Sequence, residues 1–232
     1  MKAGRVLWLQ IIQYFTRDNG SWDFWIKMET PYLIEIRIRG DISDLCKKLI
    51  FDIYHKFHVH GMVRKRPVPH ISLFGPFGCK SIRNVIEVIK EIGRDYSKLE
   101  YQVNGFDYFE LKKKFLFITT STRKNVIYLK INPSDELQEF RYALAQKLLK
   151  ITDSVNIDND SKEEFHFHAT LAMKDIDRKF DDIWEYLKKY DIVKFGTSYR
   201  ITLLKLGKIV CEYDLHEKKI LRREQVLGKF RR

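Results

Sequence analysis

Cysteine is scarce in this 232-residue chain. The three present, Cys46, Cys79 and Cys211, lie far apart and form no CxxC pair. That argues against a disulfide framework and a cysteine-built zinc site, and it fits a reducing cytoplasm. Long apolar runs are missing too. None approaches the ~18 residues of a membrane-spanning helix. A secretory leader is expected to be absent. Lys2 and Arg5 precede Val6-Leu7-Trp8-Leu9, but Gln10 and Gln13 interrupt the apolar stretch and no small-residue cleavage site follows. Acidic residues are outnumbered, 31 Asp and Glu against 43 Lys and Arg, for a net charge of +12. Such an excess favours a polyanionic partner, nucleic acid above all. With 44% hydrophobic and 14% aromatic residues, the chain has enough to bury a sizeable core. Its length suits one large domain or two small lobes.

One short pattern occurs twice. The first copy is His70-Ile71-Ser72-Leu73, within Pro67-Val68-Pro69-His70-Ile71-Ser72-Leu73-Phe74-Gly75-Pro76-Phe77. The second is His168-Ala169-Thr170-Leu171, within Phe165-His166-Phe167-His168-Ala169-Thr170-Leu171-Ala172. In a strand, residues i and i+2 share a face, roughly 7 Å apart. Each copy therefore sets an imidazole beside a hydroxyl. Among seven histidines roughly one such match arises by chance, so a lone copy means little; two copies in apolar flanks call for an explanation. Facing each other, two such strands supply two acid/base groups and two hydrogen-bond donors around one anion, the minimum for metal-free phosphodiester chemistry.

The elements around the motifs repeat in order. Tyr32 to Arg39 alternates, with Ile34, Ile36 and Ile38 on one face and Glu35, Arg37 and Arg39 on the other. Asp41 or Ser43 caps a helix with an apolar stripe of Leu45, Leu49, Ile50, Ile53 and Phe57. The first motif strand follows, then a helix capped by Ser81, then strands expected at 101–111 and 115–121 about a basic turn, Lys112-Lys113-Lys114. The order then restarts. A strand runs from Val126 to Ile131, and Pro133-Ser134 opens a helix. After a polar loop at 152–164 come the second motif strand, a helix capped by Asp177, and strands at 200–206 and 209–214 about a Gly207-Lys208 turn. This is a duplication. It predicts an α+β chain of two pseudo-symmetric lobes, each an antiparallel sheet with outer helices, and a cleft between them. The halves are 28–122 and 123–215. Residues 1–27 form an extension outside the main fold, and 216–232 a basic C-terminal tail that holds RNA or simply forms a surface helix.

On these motifs, and on Tyr32-Leu33-Ile34-Glu35-Ile36 and Ile201 to Ile209, the chain resembles the two-histidine phosphoesterase superfamily, in its 2′-5′ RNA ligase-like branch. The resemblance covers roughly residues 29–227. It departs in the N-terminal extension and in Ser rather than Thr at Ser72, which keeps the hydroxyl. It implies a bilobal fold and metal-free processing of RNA 2′,3′-cyclic phosphates or 2′-5′ linkages.

Opening a cyclic phosphate takes a base for water and an acid for the departing oxygen, and histidine suits both. His70 and His168 are the expected catalytic pair, with Ser72 and Thr170 donating to the non-bridging oxygens. His168 as base and His70 as acid is the order adopted; the sequence leaves it open, and the roles exchange if the reaction runs as ligation. Candidate RNA contacts are Arg64, Lys65, Arg66, Tyr199 and Arg200. Phe74 and Phe77 belong to the core or stack on a base. The pairs His58/His60 and His166/His168 lack a carboxylate or cysteine companion, so no metal and no cofactor are expected. The expected protein is a monomeric, cytoplasmic RNA cyclic phosphodiesterase. An RNA 3′-exonuclease or a small cyclic-nucleotide phosphodiesterase remains open within the superfamily. The alternative from another class is an RNA-binding module whose histidines only grip phosphate.

Overall fold

The computed structural model describes residues 31–63, 67–115, 118–153, 162 and 165–228. The expected N-terminal extension and the Arg64-Lys65-Arg66 run lie outside these residues. Alternation makes β1 (Tyr32–Arg37), and α1 (Gly40–Phe57) follows. The first motif strand is β2 (His70–Phe77), followed by α2 (Ile82–Gly93). Two long strands, β3 (Leu99–Phe115) and β4 (Ile118–Pro133), come next. Then come α3 (Asp135–Leu148), the second motif strand β5 (His168–Met173) and α4 (Phe180–Leu187). The chain ends in β6 (Val193–Ser198), β7 (Arg200–Lys205), β8 (Lys208–Asp214), β9 (Lys219–Arg222) and a short α5 (Arg223–Val226).

The strands form two antiparallel sheets, ordered β2-β1-β7-β8-β9 and β5-β4-β3-β6. Each motif strand is the edge of its sheet, and the two edges approach each other. This is the bilobal α+β fold that the repeat implies, with one difference. The strands at 200–205 and 208–214 do not close the second lobe but join the sheet of the first motif. Likewise β3, from the first half, pairs with β4 of the second. Each half thus lends its last strands to the other's sheet. The helices cross over as well, with α1 packing near β5 and α3 near β2. One continuous apolar core results, holding Ile36, Ile50, Ile71, Leu73, Phe140, Leu144, Ala169 and Leu171 together. Phe74 and Phe77 are buried in it and unavailable for stacking on a base.

Several local expectations change for physical reasons. The strands expected at 115–121 and 126–131 are one strand, because pairing with β3 carries the ladder through the polar residues between them. The Lys112-Lys113-Lys114 run lies within the β3 backbone, since a charge run does not itself impose turn dihedrals. Ser134 does cap α3, accepting from the Leu137 amide at 3.2 Å. Asp41 and Ser43 sit inside α1, which starts at Gly40 with Arg39 at the N-cap and no side-chain cap. Asp177 opens a 3-10 turn ahead of α4. The β7–β8 turn is Leu206-Gly207, both at positive φ (51° and 72°), as a tight hairpin requires. The C-terminal segment is not a separate tail through its whole length: β9 pairs with β8 and buries Leu221. No helix among the described residues is long and apolar enough to cross a membrane.

Gly61 marks a close approach to the second motif strand. A Cβ there would lie 1.9 Å from the Met173 carbonyl oxygen at the end of β5. Backbone must move to admit it. Gly61→Ala is expected to cost about 1–3 kcal/mol, as forced overpacking does, read as a lower urea midpoint at unchanged slope. An unchanged midpoint would show that the loop yields freely.

Candidate active site

Both motif strands carry the same burial pattern. In β2, Ile71 and Leu73 are buried while His70 and Ser72 are half-exposed on the opposite face. In β5, Ala169 and Leu171 are buried while His168 and Thr170 are half-exposed. Apolar residues at alternate positions anchor each strand in the core, and the chemistry-bearing residues are left facing outward together.

The two imidazoles are held the same way. His70 Nδ1 lies 2.9 Å from the Val68 carbonyl oxygen, and His168 Nδ1 lies 2.8 Å from that of His166. A carbonyl only accepts, so Nδ1 carries the proton in both rings. In each ring Nε2 is therefore the nitrogen that gains and loses a proton.

Their surroundings differ. The His168 ring packs edge-on to Phe109, with centroids 5.0 Å apart, and tilts against Tyr128 at 5.2 Å. His168 keeps part of its surface open, but its ring is crowded by these groups, and that desolvation pushes it down from 6.5 to about 4; the hydrogen bond at His166 opposes the shift, and the charges of His70 and His166 add to it. His168 is thus neutral near pH 7. His70 Nε2 instead lies 3.9 Å from Oε2 of Glu35, a carboxylate only 2% exposed. The other oxygen of Glu35 accepts from Arg37 Nε at 3.1 Å.

Cross-strand register sets these neighbours. Glu35 of β1 stands opposite Ser72, and Arg37 opposite His70. In the second sheet Tyr128 of β4 stands opposite Thr170, and Lys130 opposite His168. Burial, and next the carboxylate of Asp107, push the Tyr128 phenol up to about 12, so it remains a neutral hydrogen-bonding group. A cavity of about 190 Å³ opens beside it, lined by Asp107, Lys130, Gln138, Phe165 and His166 among others.

The polar row continues across the first sheet. Glu35 stands opposite Thr202 of β7, and Thr202 opposite Glu212 of β8. The Thr202 hydroxyl donates to the fully buried Glu212 at 3.1 Å, and Arg39 and Arg200 each approach that carboxylate at 3.5 Å. Arg200 Nε also meets Asp214 at 3.2 Å. Paired in this way, the buried carboxylates avoid the penalty of isolated charge. Tyr199, half exposed between β6 and β7, and Arg200 line a groove of about 550 Å³ with Arg39, Asp214 and His216. This groove lies on the same sheet as His70, and its arginines are already engaged by carboxylates.

Sequence reasoning brought out His70, Ser72, His168 and Thr170, and the fold brings all four to the facing edges of the two sheets. It passed over Glu35, whose alternation with isoleucines reads as a solvated face, and over Tyr128 and Phe109. It also passed over Arg141 of α3, which is 1% exposed. Its Nε donates to the Leu73 carbonyl of β2 at 3.4 Å, and its guanidinium lies 3.6 Å from the Phe165 ring just ahead of β5. One buried cation thus touches both motif segments. Its only signal in the sequence is an arginine falling on the apolar stripe of α3, between Leu137, Phe140 and Leu144. Among the described residues no three His, Cys, Asp or Glu side chains cluster as metal ligands.

A family model described as the 2′-5′ RNA ligase superfamily matches residues 47–207, a span that holds both motifs. No curated protein matches the chain in sequence. Among solved structures the chain is similar to Kluyveromyces marxianus Usb1, at 10% identity over 85% of this chain and 99% of that one, with a TM-score of 0.42. A structure of the same protein with uridine monophosphate matches at 9% identity, with the same coverage and TM-score.

Proposed function

The chain belongs to the 2′-5′ RNA ligase superfamily, within the two-histidine phosphoesterases, and from that premise we propose that it is a metal-independent phosphodiesterase acting on RNA 2′,3′-cyclic phosphate ends, with 2′-5′ ligation as the outcome when an RNA 5′-hydroxyl replaces water as the nucleophile. One observation carries this reading: both histidines spend Nδ1 on a carbonyl, which leaves two Nε2 atoms and two neighbouring hydroxyls on adjoining strand edges.

His168, kept neutral by burial, acts as the base. Its Nε2 takes a proton from water as the water oxygen bonds to phosphorus. His70 gives its Nε2 proton to the ribose oxygen as the P–O bond breaks, the bonding pair staying with that oxygen. Solvent then returns the proton to His70 and removes it from His168. Ser72 and Thr170 donate to the non-bridging oxygens, where charge grows in the transition state. The cavity beside Tyr128 and His166 takes the nucleobase. Excess positive charge draws the RNA chain toward the site. Burial raises Cys46 to about 12 and Cys211 to about 11, so these thiols stay protonated and take no part in the reaction.

The test is hydrolysis of a nucleoside 2′,3′-cyclic phosphate with EDTA present, across pH. Turnover is expected under chelation. A base must be neutral to work, so kcat/KM holds as pH falls through 6.5 and is lost only as His168 protonates near about 4. The sign for stability follows from the same shift. Between 6.5 and about 4 the unfolded chain binds the proton that folded His168 refuses, so stability declines as pH falls across that window. No turnover, or turnover that zinc or magnesium must restore after chelation, would overturn the proposal.

A further inference from the structure

We infer that Glu35 is a positioning residue that sets a carboxylate against Nε2 of His70, so that His70 rather than His168 delivers the proton to the departing ribose oxygen. The inference rests on the proposed phosphodiesterase reaction and assigns a cause to its division of roles.

The two halves of the site match position for position except at one place. Each motif hydroxyl has a cross-strand partner on the neighbouring strand: Glu35 opposite Ser72, Tyr128 opposite Thr170. Each motif histidine has a basic partner two residues further on, Arg37 opposite His70 and Lys130 opposite His168. A carboxylate on one side and a phenol on the other is therefore the difference between the two copies closest to the chemistry. Glu35 is 2% exposed, and its Oε2 lies 3.9 Å from His70 Nε2. That separation is too long for a hydrogen bond but short for a Coulomb contact, with the carboxylate buried and the imidazole 34% exposed. The Nδ1 of His70 is committed to Val68, so the carboxylate faces the one nitrogen that can exchange its proton.

The other charged groups around the pair leave this arrangement in force. Arg37, on the same strand and opposite His70, binds Oε1, so the carboxylate is shared between a guanidinium and the imidazole. On β7 the residue opposite Glu35 is Thr202, an uncharged group whose hydroxyl is given to Glu212 of β8. Arg39 and Arg200 meet that second carboxylate. From β5, His168 is neutral near pH 7. Glu35 thus places a carboxylate beside His70, while His168 sits among aromatic rings that supply none.

The experiment compares Glu35→Gln with the wild-type full chain on two substrates. One is uridine 2′,3′-cyclic phosphate, whose leaving group is a ribose oxygen that must be protonated. The other is a nitrophenyl ester of a nucleoside 3′-phosphate, whose leaving group departs as a stable anion. Glu35→Gln is expected to lower kcat on the cyclic phosphate by about tenfold or more, a share of the 10²–10⁴ that general acid catalysis supplies. KM and the rate on the nitrophenyl ester should stay within about twofold. Equal loss on both substrates, or none on the cyclic phosphate, overturns the inference. If Glu35→Gln does not fold by circular dichroism, Glu35→Asp carries the test. It keeps the charge but withdraws it by one methylene, and a smaller, equally selective loss is expected; loss on both substrates or on neither overturns it. His70→Ala separates the levels of the argument. If it leaves turnover of the cyclic phosphate intact, the phosphodiesterase mechanism itself fails. If it abolishes turnover while Glu35→Gln does not, only the role of Glu35 fails.

Discussion

His70→Ala and His168→Ala should each lower turnover of a nucleoside 2′,3′-cyclic phosphate by about 10²-fold or more without unfolding the protein, the usual worth of a positioned acid or base. Both side chains stand on the half-exposed face of their strands, while the anchoring residues, Ile71 and Leu73 in one and Ala169 and Leu171 in the other, are untouched. Removing either imidazole leaves these anchors in place, although at His168 it also takes away the ring that packs on Phe109 and Tyr128. Each does cut one hydrogen bond to a carbonyl, at Val68 or His166, beside a strand end. In the proposed mechanism the two groups work on the same transition state, so the double substitution should cost little more than the worse single one. Near-wild-type turnover in either single variant would end the two-histidine mechanism. A double variant with the product of the two losses would mean that the histidines act in separate steps.

Ser72→Ala and Thr170→Val should each lower kcat by about 10²-fold, at the low end of what one donor to a developing oxyanion is worth, with a smaller change in KM. The physical basis is their place in the register. Each hydroxyl lies two residues beyond its histidine on the same face, which in the proposed mechanism turns both hydroxyls toward the non-bridging oxygens of a phosphate between the Nε2 atoms. Valine keeps the shape of Thr170 and removes only the hydroxyl, which separates donation from packing. The losses should fall short of those from the histidine substitutions. Losses confined to KM would instead make the hydroxyls ground-state binders. Thr170→Val with unchanged kcat would remove it from the site altogether.

How much of this was legible in the sequence divides along the range of the interactions involved. Alternation within a strand is local. From it alone His70 and Ser72 had to share a face, as did His168 and Thr170, with the apolar residues between them turned to a core. The repeated order of strand, helix, motif strand and helix likewise came from periodicity. So did the cap at Ser134. These features depend on dihedral preferences and on residues within a few positions of one another.

What stands beside each histidine depends on pairing between segments dozens of residues apart. Glu35 meets His70 because β1 pairs with β2 in one register; the same alternation, without its partners, reads as a solvated face. Tyr128 meets His168 through the β4–β5 register, and Phe109 reaches the same ring from β3. The exchange of strands between halves was equally out of reach, since β7 reads as a half-buried strand whichever sheet it joins. The sequence by itself determined that two imidazole–hydroxyl pairs exist and which way each faces. Only the tertiary structure decided that they face each other, and that one lies against a buried carboxylate and the other against aromatic rings. Burial and counter-charge are properties of neighbours, and neighbours across a sheet are chosen by the whole fold.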